Sequence, residues 1–527
     1  MDLKTKRIGP MQCAMLASVL SLALLNSCGG GSTGGSDASG SGSSSSGGGG
    51  NSSSYTVGGT ITGLGAATGL VLANMLPNGS TDTLTVPADA TSFTMPTAVP
   101  SASAYDVTVK AHPVAVQCNV ISGAGTTDGA NVTTINVSCA PGSEAVLYSF
   151  VGAPEDGNVP TTLIQASDGN LYGVTDQGGT ASSPSYGCGI VFKATPNGTI
   201  TPSDTETVLH SFAGGTTDGC TPSGLIQASD GNFYGVASGG GANNDGVVFK
   251  ITPSGTESIL YAFAGGADGA GPNSLIQASD GNFYGLTYYG GSSNDGVLFK
   301  ITPTGTESVL YSFAGGAPGI SLIQGDDGNF YATTFYGGTS GECGNPSVNP
   351  YPTAGNGVVF RLTANGTETV LHSFAGGTTD GCQPGGLIQA SDGNFYGVTL
   401  GGGANNAGVV FKITPTGIES VLYSFSGGTT DGTYGGKLIQ ASDGNLYGIT
   451  VRGGIVANPC DYLNGNGVLF KITLTGTETV LHAFAGGSTE GCLPDSLIQA
   501  SDGTLYGATL GGGAGGANND GTIWQFN

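Results

Sequence analysis

The stretch LIQASDGNFYGVT at residues 387–399 decides the fold, because the chain contains seven closely similar copies of it. The other six copies lie at 163–175, 225–237, 275–287, 322–334, 438–450 and 497–509. Each copy places two apolar runs of strand length on either side of an Asp-Gly turn, which is a strong hairpin signal. The stretch therefore predicts a β-hairpin that recurs seven times along the chain.

Each hairpin belongs to a longer unit that has four apolar runs in a fixed order. In the second unit the runs are LIQAS (225–229), NFYGVA (232–237), GVVFKIT (246–252) and ESILYAF (257–263). They are rich in β-branched and aromatic residues, and Ser-Asp-Gly-Asn and Thr-Pro-Ser-Gly turns separate them. Four-stranded antiparallel units with a period of about 40–50 residues predict a β-propeller.

The number of units predicts seven blades. One tyrosine marks each second strand: Tyr172, Tyr234, Tyr284, Tyr331, Tyr396, Tyr447 and Tyr506. A segment with the sequence pattern of a fourth strand, 144–150, precedes every other repeat element. The last unit ends at its third strand, GTIWQFN. We therefore expect 144–150 to complete the last blade, which would close the propeller without an open sheet edge.

The N-terminus has the pattern of an export signal. Three basic residues come first: Lys4, Lys6 and Arg7. The apolar run 11–25 follows, and it is too short to span a bilayer comfortably. LNSC, ending at Cys28, resembles a bacterial lipobox, which implies a signal peptide at 1–27 and a diacylated Cys28; the alternative is an ordinary signal peptide with a chance cysteine. Residues 28–54 form a Gly/Ser tether. By resemblance to bacterial lipoproteins, Gly29 after the cysteine implies an outer-membrane destination. The sequence leaves open whether the protein faces the periplasm or the outside.

The segment 55–142 differs from the repeats that occupy 143–527. Its short runs alternate in part between apolar and polar residues, which predicts a small β-sandwich of immunoglobulin-like size. Its two cysteines, Cys118 and Cys139, are expected to pair because exported domains with two cysteines usually oxidise them. The segment has no catalytic constellation, and we interpret it as a spacer.

The charge of the chain limits its partners. The formal net charge is −24 at pH 7, and such a surface repels nucleic-acid backbones and anionic lipids. We expect no nucleic-acid partner, membrane attachment through the lipid anchor alone, and a monomer. The expected partner is a glycan or an envelope or extracellular protein.

Six further cysteines follow the repeat in a regular way. Cys188, Cys343 and Cys460 lie between second and third strands, and Cys220, Cys382 and Cys492 follow the next fourth strand. The spacing predicts the disulfides Cys188–Cys220, Cys343–Cys382 and Cys460–Cys492, each stabilising by about 3–4 kcal/mol in the chain-entropy model. The rival interpretation is a zinc site that adds the histidines of the same repeats, His210, His372 and His482.

The chain has none of the common catalytic motifs, so we predict no catalytic residues and favour a non-enzymatic protein. The repeated turn aspartates, such as Asp230, and the third-strand lysines, such as Lys250, are interpreted as structural partners. Calcium could use the carboxylates Asp245, Asp295, Asp520, Asp218, Asp380 and Asp431, but no DxDxDG spacing supports it. No metal and no other cofactor is expected.

A binding site is expected where the repeats differ from one another, at the ends of the second strands. The candidate ligand-binding residues there are Asp176, Gln177, Tyr288, Tyr289, Phe335, Tyr336 and Arg452. Aromatic faces beside hydrogen-bonding groups suit a sugar or a peptide. The alternative is that these aromatics only fill space between loops.

Units of the type DGNLYG–T–GG–GVVFKIT–G–VLYSF over 144–527 resemble the GloVer-type tandem repeat of exported, surface-anchored (choice-of-anchor) bacterial lipoproteins. The resemblance implies an exported β-repeat protein but no activity. The functional hypothesis is a binding module of the cell envelope that holds a glycan or a protein on its long-loop face. The alternatives are a carbohydrate-active or lyase-like propeller enzyme and a purely structural surface module.

Overall fold

A computed structural model of the 527-residue chain gives the fold. It describes residues 53–527 except 155, 182–183, 185, 197–205, 317, 340–342, 344–354, 456–464, 489 and 515–519. The predicted signal peptide, Cys28 and most of the tether lie outside these residues. The described chain divides into two compact units, one ending at Pro141 and the other beginning at Gly142. No helix in the described ranges is long and apolar enough to cross a membrane.

The N-terminal unit contains ten strands. They are β1 (Ser54–Tyr55), β2 (Val57–Thr62), β3 (Val71–Met75), β4 (Thr81–Thr85), β5 (Ser92–Thr94), β6 (Val99–Pro100), β7 (Ala104–Ala111), β8 (Val116–Ile121), β9 (Ala124–Thr126) and β10 (Val132–Pro141). Two four-stranded sheets have the orders β5-β2-β10-β8 and β4-β3-β7-β9, and β1 pairs with β6. One hydrophobic cluster includes residues of both sheets, such as Ile135 and Leu72.

The second unit begins with β11 (Glu144–Ser149) and continues with repeat sheets of four strands each. Sheet 1 contains β12 (Gly157–Gln165), β13 (Leu171–Gly178), β14 (Ile190–Ala194) and β15 (Glu206–Ser211). Sheet 2 contains β16 (Gly219–Gln227), β17 (Phe233–Gly240), β18 (Val247–Ile251) and β19 (Glu257–Ala262). Sheet 3 contains β20 (Ala270–Gln277), β21 (Phe283–Tyr289), β22 (Val297–Ile301) and β23 (Glu307–Ser312), and a short 3₁₀ helix (Gly266–Asp268) precedes it.

The remaining sheets have the same topology. Sheet 4 contains β24 (Pro318–Gln324), β25 (Phe330–Thr334), β26 (Val358–Leu362) and β27 (Glu368–Ser373). Sheet 5 contains β28 (Gly381–Gln389), β29 (Phe395–Gly402), β30 (Val409–Ile413) and β31 (Glu419–Ser424). Sheet 6 contains β32 (Gly432–Gln440), β33 (Leu446–Gly453), β34 (Val468–Ile472) and β35 (Glu478–Ala483). Sheet 7 contains β36 (Gly491–Gln499), β37 (Leu505–Gly512) and β38 (Thr522–Phe526), and β11 is its fourth strand.

The pairing of β11 with β38 joins the two ends of the repeat unit. The strands are antiparallel, with Glu144 opposite Phe526 and Ser149 opposite Thr522. This is the pairing that the order of the repeats predicts for residues 144–150. It leaves β38 with a hydrogen-bonded neighbour on both sides.

A glycine in most second strands makes room for the third-strand aromatic. A Cβ atom on Gly235 would lie 2.3 Å from the ring of Phe249, which is fully buried. The aromatic core continues between sheets, because the ring of Tyr172 in sheet 1 lies 4.3 Å from that of Phe233 in sheet 2. Trp524 takes the place of Phe249 in sheet 7 and is fully buried.

A series of side-chain hydrogen bonds links each sheet to the next. The backbone N–H of the turn residue after the first strand donates to the Gln at the end of the next sheet's first strand, at 2.8–2.9 Å. The pairs are Ser167–Gln227, Ser229–Gln277, Ser279–Gln324, Asp326–Gln389, Ser391–Gln440, Ser442–Gln499 and Ser501–Gln165. The last pair links sheet 7 back to sheet 1, so the series closes on itself.

The hairpin turn of each unit is held by one aspartate. In sheet 2, Asp230 accepts the backbone N–H of Asn232 at 3.0 Å, the Tyr234 hydroxyl at 2.9 Å and the Lys250 ammonium group at 3.1 Å. The Lys250 Nζ atom also lies 5.2 Å from the centre of the Tyr234 ring. We call this group of four residues, and its counterparts in the other sheets, the turn cluster. It confirms that the repeated aspartates and lysines are structural partners.

The first and second strands are longer than the apolar runs predict. In sheet 2 they begin at Gly219 and end at Gly240, whereas the runs begin at 225 and end at 237. Most of the extra residues are polar, glycine or proline, so they lack the apolar pattern that marks the rest of the strand. Asp176 and Gln177 consequently lie inside β13 rather than in a loop.

Candidate functional site

Every first strand of the repeat sheets has an irregular pairing with its second strand just before the Leu-Ile-Gln motif. In sheet 7, for example, the register shifts between Pro494 and Ser496. The same shift recurs in the other six sheets. Bulges of this kind redirect the side chain of the extra residue. The residues at these bulges therefore have an orientation that strict strand alternation would not give them.

Most residues at the bulges are small, and three are larger polar residues. The positions between the start of the shift and the Leu hold Thr161 and Thr162, Ser223 and Gly224, Asn273 and Ser274, Gly319 to Ser321, Gly385 and Gly386, Gly436 and Lys437, and Asp495 and Ser496. The larger polar side chains are Asn273, Lys437 and Asp495. They are 4%, 2% and 1% exposed, although a buried lysine or aspartate is rare without a partner or a function.

These three residues converge with two residues of the second strands, Asp176 and Tyr288. Burial raises the pKa of Tyr288, a hydrogen bond from Asn273 opposes the shift, and the nearby charges of Asp176 and Asp495 reinforce it. Sheets 1, 3 and 7 therefore bring the side chains of Asp176, Asn273, Tyr288 and Asp495 near one another. Lys437 of sheet 6 joins them through its interaction with Asp495. We call the five residues the bulge cluster.

The ionisable groups of the bulge cluster are strongly perturbed. Burial raises the pKa of Asp176 to about 6, against a hydrogen bond from Gln177. Burial also raises the pKa of Asp495 well above its usual range; Lys437 opposes this shift and Asp176 adds to it. Burial lowers the pKa of Lys437 to about 8, against the attraction of Asp495. Groups perturbed in this way by burial and by one another are typical of functional sites.

Several polar atoms of this region are buried and lack a hydrogen-bond partner among the described residues. They are Asp176 Oδ2, Asn273 Oδ1, Asp495 Oδ2 and the hydroxyl groups of Thr161, Ser223, Ser274 and Ser496. A buried polar atom without a partner costs about 1–3 kcal/mol, so such atoms are uncommon in native proteins. All of them lie at the bulges or on the adjacent second strand. The region is therefore rich in acceptors that a ligand could satisfy.

The four aromatic residues that the sequence predicts to form one binding surface differ in their exposure and contacts. Tyr288 and Phe335 are partly buried and pack against a hydrophobic cluster that includes Val398 and Leu438 of sheets 5 and 6. Tyr289 is 50% exposed, and its ring centre lies 6.3 Å from that of Tyr288. Tyr336 follows Phe335 with ring centres 6.4 Å apart. Strand alternation explains the difference between Tyr288 and Tyr289, because successive side chains of a strand point to opposite faces. Phe335 and Tyr336 follow the end of their strand, and both are partly buried.

The remaining predicted residues have separate positions. Gln177 hydrogen-bonds to its neighbour Asp176 and so adjoins the bulge cluster. The guanidinium carbon of Arg452 lies 4.8 Å from the centre of the Tyr434 ring, a cation–π contact within sheet 6. The sequence prediction thus includes Asp176 and Tyr288 of the cluster and omits Asn273, Lys437 and Asp495. The sequence feature that could have identified these three residues is a large polar side chain at a position where most other repeats have Gly, Ser or Thr.

The cysteines that the structure describes form disulfides rather than metal sites. Cys118 and Cys139 are bonded between opposite residues of β8 and β10. Cys188–Cys220 and Cys343–Cys382 are bonded with Cα separations of 4.5 and 5.8 Å, and they are the pairs that the spacing predicts. Cys220 and Cys382 are the second residues of β16 and β28, so each bond ties an insertion to the next sheet. Cys492 is disulfide-bonded, and Cys460 lies outside the described residues. The predicted rival, a zinc site made with these cysteines, is therefore wrong for the two bonded pairs that are described.

The carboxylates considered for calcium hold loops together. The loop aspartates Asp218, Asp380 and Asp431 each accept a backbone N–H five residues earlier in the chain, at 2.6–2.7 Å. Asp295 accepts the backbone N–H of Gly315 at 2.8 Å. Each of these four carboxylates thus takes part in loop organisation.

Comparison with known proteins places this architecture among repeat proteins. The family model described as the Gloeobacter/Verrucomicrobia repeat matches residues 117–345 and 350–527. No curated protein matches the chain. Among solved structures, a streptogramin B lyase is 16% identical with a TM-score of 0.46, over 73% of this chain and 97% of its own. Virginiamycin B lyase from Staphylococcus aureus is 15% identical, with a TM-score of 0.46 and coverage of 73% and 98%. A gluconolactonase from Xanthomonas campestris is 14% identical, with a TM-score of 0.34 and coverage of 62% and 90%.

Proposed function

Since the chain belongs to the Gloeobacter/Verrucomicrobia repeat family, we propose that its repeats form a closed seven-bladed propeller that binds a saccharide at the bulge cluster. The sheets of common topology, the pairing of β11 with β38 and the closed series of Ser–Gln hydrogen bonds support the blade count. The two four-stranded sheets with one hydrophobic cluster support a β-sandwich at 55–142. In this proposal the sandwich is a spacer and the propeller carries the function.

The proposed location is the cell envelope, with a lipid anchor at Cys28. The disulfides indicate an oxidising, non-cytoplasmic compartment. The signal peptide at 1–27, the tether at 28–54 and an outer-membrane destination are proposals that rest on the sequence of the N-terminus. A tether of this composition would hold the propeller away from the lipid surface.

The observation that carries the proposed function is the convergence of orphaned acceptors in the bulge cluster. Asp176, Asn273 and Asp495 each have a buried oxygen without a partner in the described part of the chain. Hydroxyl groups of a sugar are donors that would satisfy such oxygens. The ring of Tyr288, which belongs to the same cluster, offers a flat surface for the C–H groups of a pyranose. A saccharide supplies both kinds of contact.

The charges of the site favour a neutral saccharide over an anionic one. Two carboxyl groups, Asp176 and Asp495, face one lysine, Lys437, in a chain of net charge −24. A phosphorylated, sulfated or uronic-acid ligand would meet repulsion from the whole surface. A neutral hexose or N-acetylhexosamine unit would not.

A carbohydrate-active or lyase-like enzyme is a second candidate, and one observation favours it. Asp176 and Asp495 lie within electrostatic range of each other, and the pKa of Asp176 is raised to about 6. A carboxyl group with such a pKa can act as a general acid near neutral pH. Incubation of the protein with bound oligosaccharides, followed by mass spectrometry, would detect cleavage or elimination products. Products that the wild type forms and the Asp176→Asn variant does not would establish this alternative.

The binding test compares the bulge cluster with the outward-facing aromatic. The exported full chain is applied to a glycan array and to cell-wall material, beside the variants Asp495→Ser and Tyr289→Ala. Ser is the matched replacement, because Ser223 occupies the corresponding bulge position in sheet 2. We expect saturable binding that Asp495→Ser abolishes and Tyr289→Ala leaves unchanged.

Two other results would decide against the proposal. Loss of binding only in Tyr289→Ala would move the site to the exposed aromatic surface. Absence of saccharide binding by the folded wild type would contradict the proposal and favour a protein partner or a structural role.

A further inference from the structure

The fourth strands of neighbouring sheets meet at junctions that contain a histidine or tyrosine and two carboxylates. We define a junction by the aromatic residue of one fourth strand, the carboxylate in the loop that follows, and the Glu that begins the next fourth strand. The histidine junctions are His210–Asp218–Glu257, His372–Asp380–Glu419 and His482–Glu490–Glu144. Two tyrosine junctions are Tyr261–Asp268–Glu307 and Tyr423–Asp431–Glu478.

The tyrosine junctions are closed by short direct hydrogen bonds. The Tyr261 hydroxyl donates to Asp268 at 2.8 Å, and the Tyr423 hydroxyl donates to Asp431 at 3.0 Å. These are ordinary lengths for an O–H···O bond that needs nothing between donor and acceptor. The tyrosine–aspartate contact is thus complete without a bound ion.

Two of the three histidine junctions are more open, whereas His482 Nε2 of the third junction is in direct contact with Glu490 Oε1. His210 Nε2 lies 3.4 Å from both carboxylate oxygens of Asp218, and His372 Nε2 lies 3.3 Å from Asp380 Oδ2. Two ligands about 2.0–2.2 Å from a tetrahedral zinc ion are separated by roughly 3.3–3.6 Å. The nitrogen–oxygen spacing at both junctions therefore matches one edge of a zinc coordination tetrahedron.

The third residue completes a compact donor set. In each histidine junction, the imidazole nitrogen and two carboxylate oxygens lie within 4.8 Å of one another. The Oε1 atoms of Glu257, Glu419 and Glu144 are buried and have no hydrogen-bond partner in the described ranges. Each site thus has an orphaned carboxylate oxygen beside the histidine–carboxylate pair. Glu307 Oε1 and Glu478 Oε1 of the tyrosine junctions are also without a partner in the described ranges, so the imidazole nitrogen is what distinguishes the histidine sites. A cation would satisfy that oxygen and offset the charge of the two carboxylates.

We propose that the three histidine junctions are divalent transition-metal sites, with zinc as the favoured ion. Each ion would take Nε2 of the histidine and one oxygen from each carboxylate, and water would fill the fourth position. The imidazole nitrogen favours zinc-type ions over calcium and magnesium, which prefer oxygen ligands. The tyrosine junctions lack this nitrogen and stay metal-free. The ions would fasten neighbouring sheets at the same three places that carry the long insertions with cysteines.

The test measures zinc stoichiometry on the full chain. The protein is treated with EDTA, dialysed and titrated with zinc chloride by isothermal calorimetry near neutral pH, with thiols confirmed as oxidised. The wild type is expected to bind three equivalents of zinc. His210→Tyr, His372→Tyr and His482→Tyr should each lower the number by one, and the triple variant should bind none at these sites.

The matched controls come from the sister repeats. Tyrosine occurs naturally at this position in other sheets, so the His→Tyr variants are expected to keep the fold, which circular dichroism checks. Tyr261→Phe should leave the stoichiometry at three. Zinc binding that the triple variant retains in full would contradict the proposal, as would a wild type that binds no zinc. The absorption spectrum of cobalt-substituted protein provides a second readout, because four-coordinate nitrogen–oxygen ligation gives an intense visible band that surface adsorption does not.

Discussion

The two ends of the same hairpin differ sharply in how their polar groups are treated. At the turn end, Asp230 accepts hydrogen bonds from Asn232, Tyr234 and Lys250, and the arrangement recurs along the chain. At the bulge end, the side chains differ from sheet to sheet, and Asp495 has a buried oxygen without a partner among the described residues. The repeated end is organised for stability, and the variable end retains unsatisfied groups that stability alone would remove.

The pKa values show the same contrast. Burial raises the pKa of Asp230, but hydrogen bonds from Asn232, Lys250 and Tyr234 outweigh it and lower the value to about 2. At the other end of an equivalent hairpin, burial raises the pKa of Asp176 to about 6. One residue type is thus held ionised by its neighbours at the turn and is pushed towards neutrality at the bulge. This opposition separates scaffold from candidate site more clearly than composition does.

The largest expected effect comes from removing a turn-cluster aromatic. Tyr234 is 1% exposed, stacks at 4.3 Å on Phe283 of the next sheet and holds Asp230. We expect Tyr234→Ala to lower the free energy of unfolding by about 3–5 kcal/mol, because it leaves a cavity and frees a carboxylate. Urea denaturation followed by fluorescence measures the change.

The control for this variant is Tyr289→Ala. Tyr289 is 50% exposed, so its removal should change stability by about 0.5 kcal/mol or less. A loss at Tyr289 as large as that at Tyr234 would show that the exposed aromatics belong to the core.

Removing the charged side chains at the bulge end should raise the free energy of unfolding rather than lower it. We expect the double variant Lys437→Gly/Asp495→Ser to raise the free energy of unfolding by about 1–3 kcal/mol, since it removes the desolvation cost of two buried charged groups together. Gly386 and Ser223 occupy the corresponding positions in sheets 5 and 2, so both replacements suit the bulge. Chemical denaturation of the double variant measures this change.

The single variants complete a double-mutant cycle. Lys437→Gly alone should be less stable than the double variant, because it leaves Asp495 buried without its cation. A double variant that is much less stable than the wild type would show that the cluster is scaffold, and it would remove the main difference between the two ends of the hairpin.

Much of the repeat architecture could be predicted from sequence because its causes are local. Asp-Gly turns, apolar runs and the position of 144–150 before the other elements specify the hairpins and the pairing of β11 with β38. The turn cluster was also predictable, since Asp230 and Lys250 recur in register. These inferences need only the comparison of one repeat with another.

The candidate site could be predicted only in part because it depends on convergence. Asn273, Lys437 and Asp495 lie in polar segments without alternation, so the sequence did not indicate that these segments are strands with bulges. Their proximity to Asp176 and Tyr288 arises from sheets that are distant in sequence. The carboxylate partners of the three histidines were missed for a similar reason, since the Glu of each junction belongs to the following repeat.

The pH dependence of stability provides a smaller test of the contrast. The folded pKa of Asp230 lies below its usual value of 3.8, so its stabilisation is present above that value and is lost as pH falls towards 2. The folded pKa of Asp176 lies above 3.8, so stability is lost as pH rises from about 4 through 6. Asp176→Asn should abolish its share of the loss between pH 4 and 6, about 1–2 kcal/mol. Calorimetric melting of wild type and variant across this range measures it.

The matched variant for the pH test is Asp230→Asn. It should weaken the loss of stability at low pH and leave the slope between pH 4 and 6 unchanged. Identical slopes in wild type and Asp176→Asn would mean that Asp176 is not held near neutrality by burial.

The smallest expected effect concerns the turn-cluster lysine. Lys250 Nζ lies 3.1 Å from Asp230, but the two side chains are 32% and 43% exposed, and exposed ion pairs contribute about 0–1 kcal/mol. Gln525 replaces this lysine in sheet 7, so Lys250→Gln should fold normally and lose less than about 1 kcal/mol, with the difference shrinking at high salt. Denaturation at low and high ionic strength measures it. A salt-independent loss of several kcal/mol would mean that the ion pair, rather than the hydrogen bonds from Asn232 and Tyr234, organises the turn, and the turn end would then depend on charge as strongly as the bulge end.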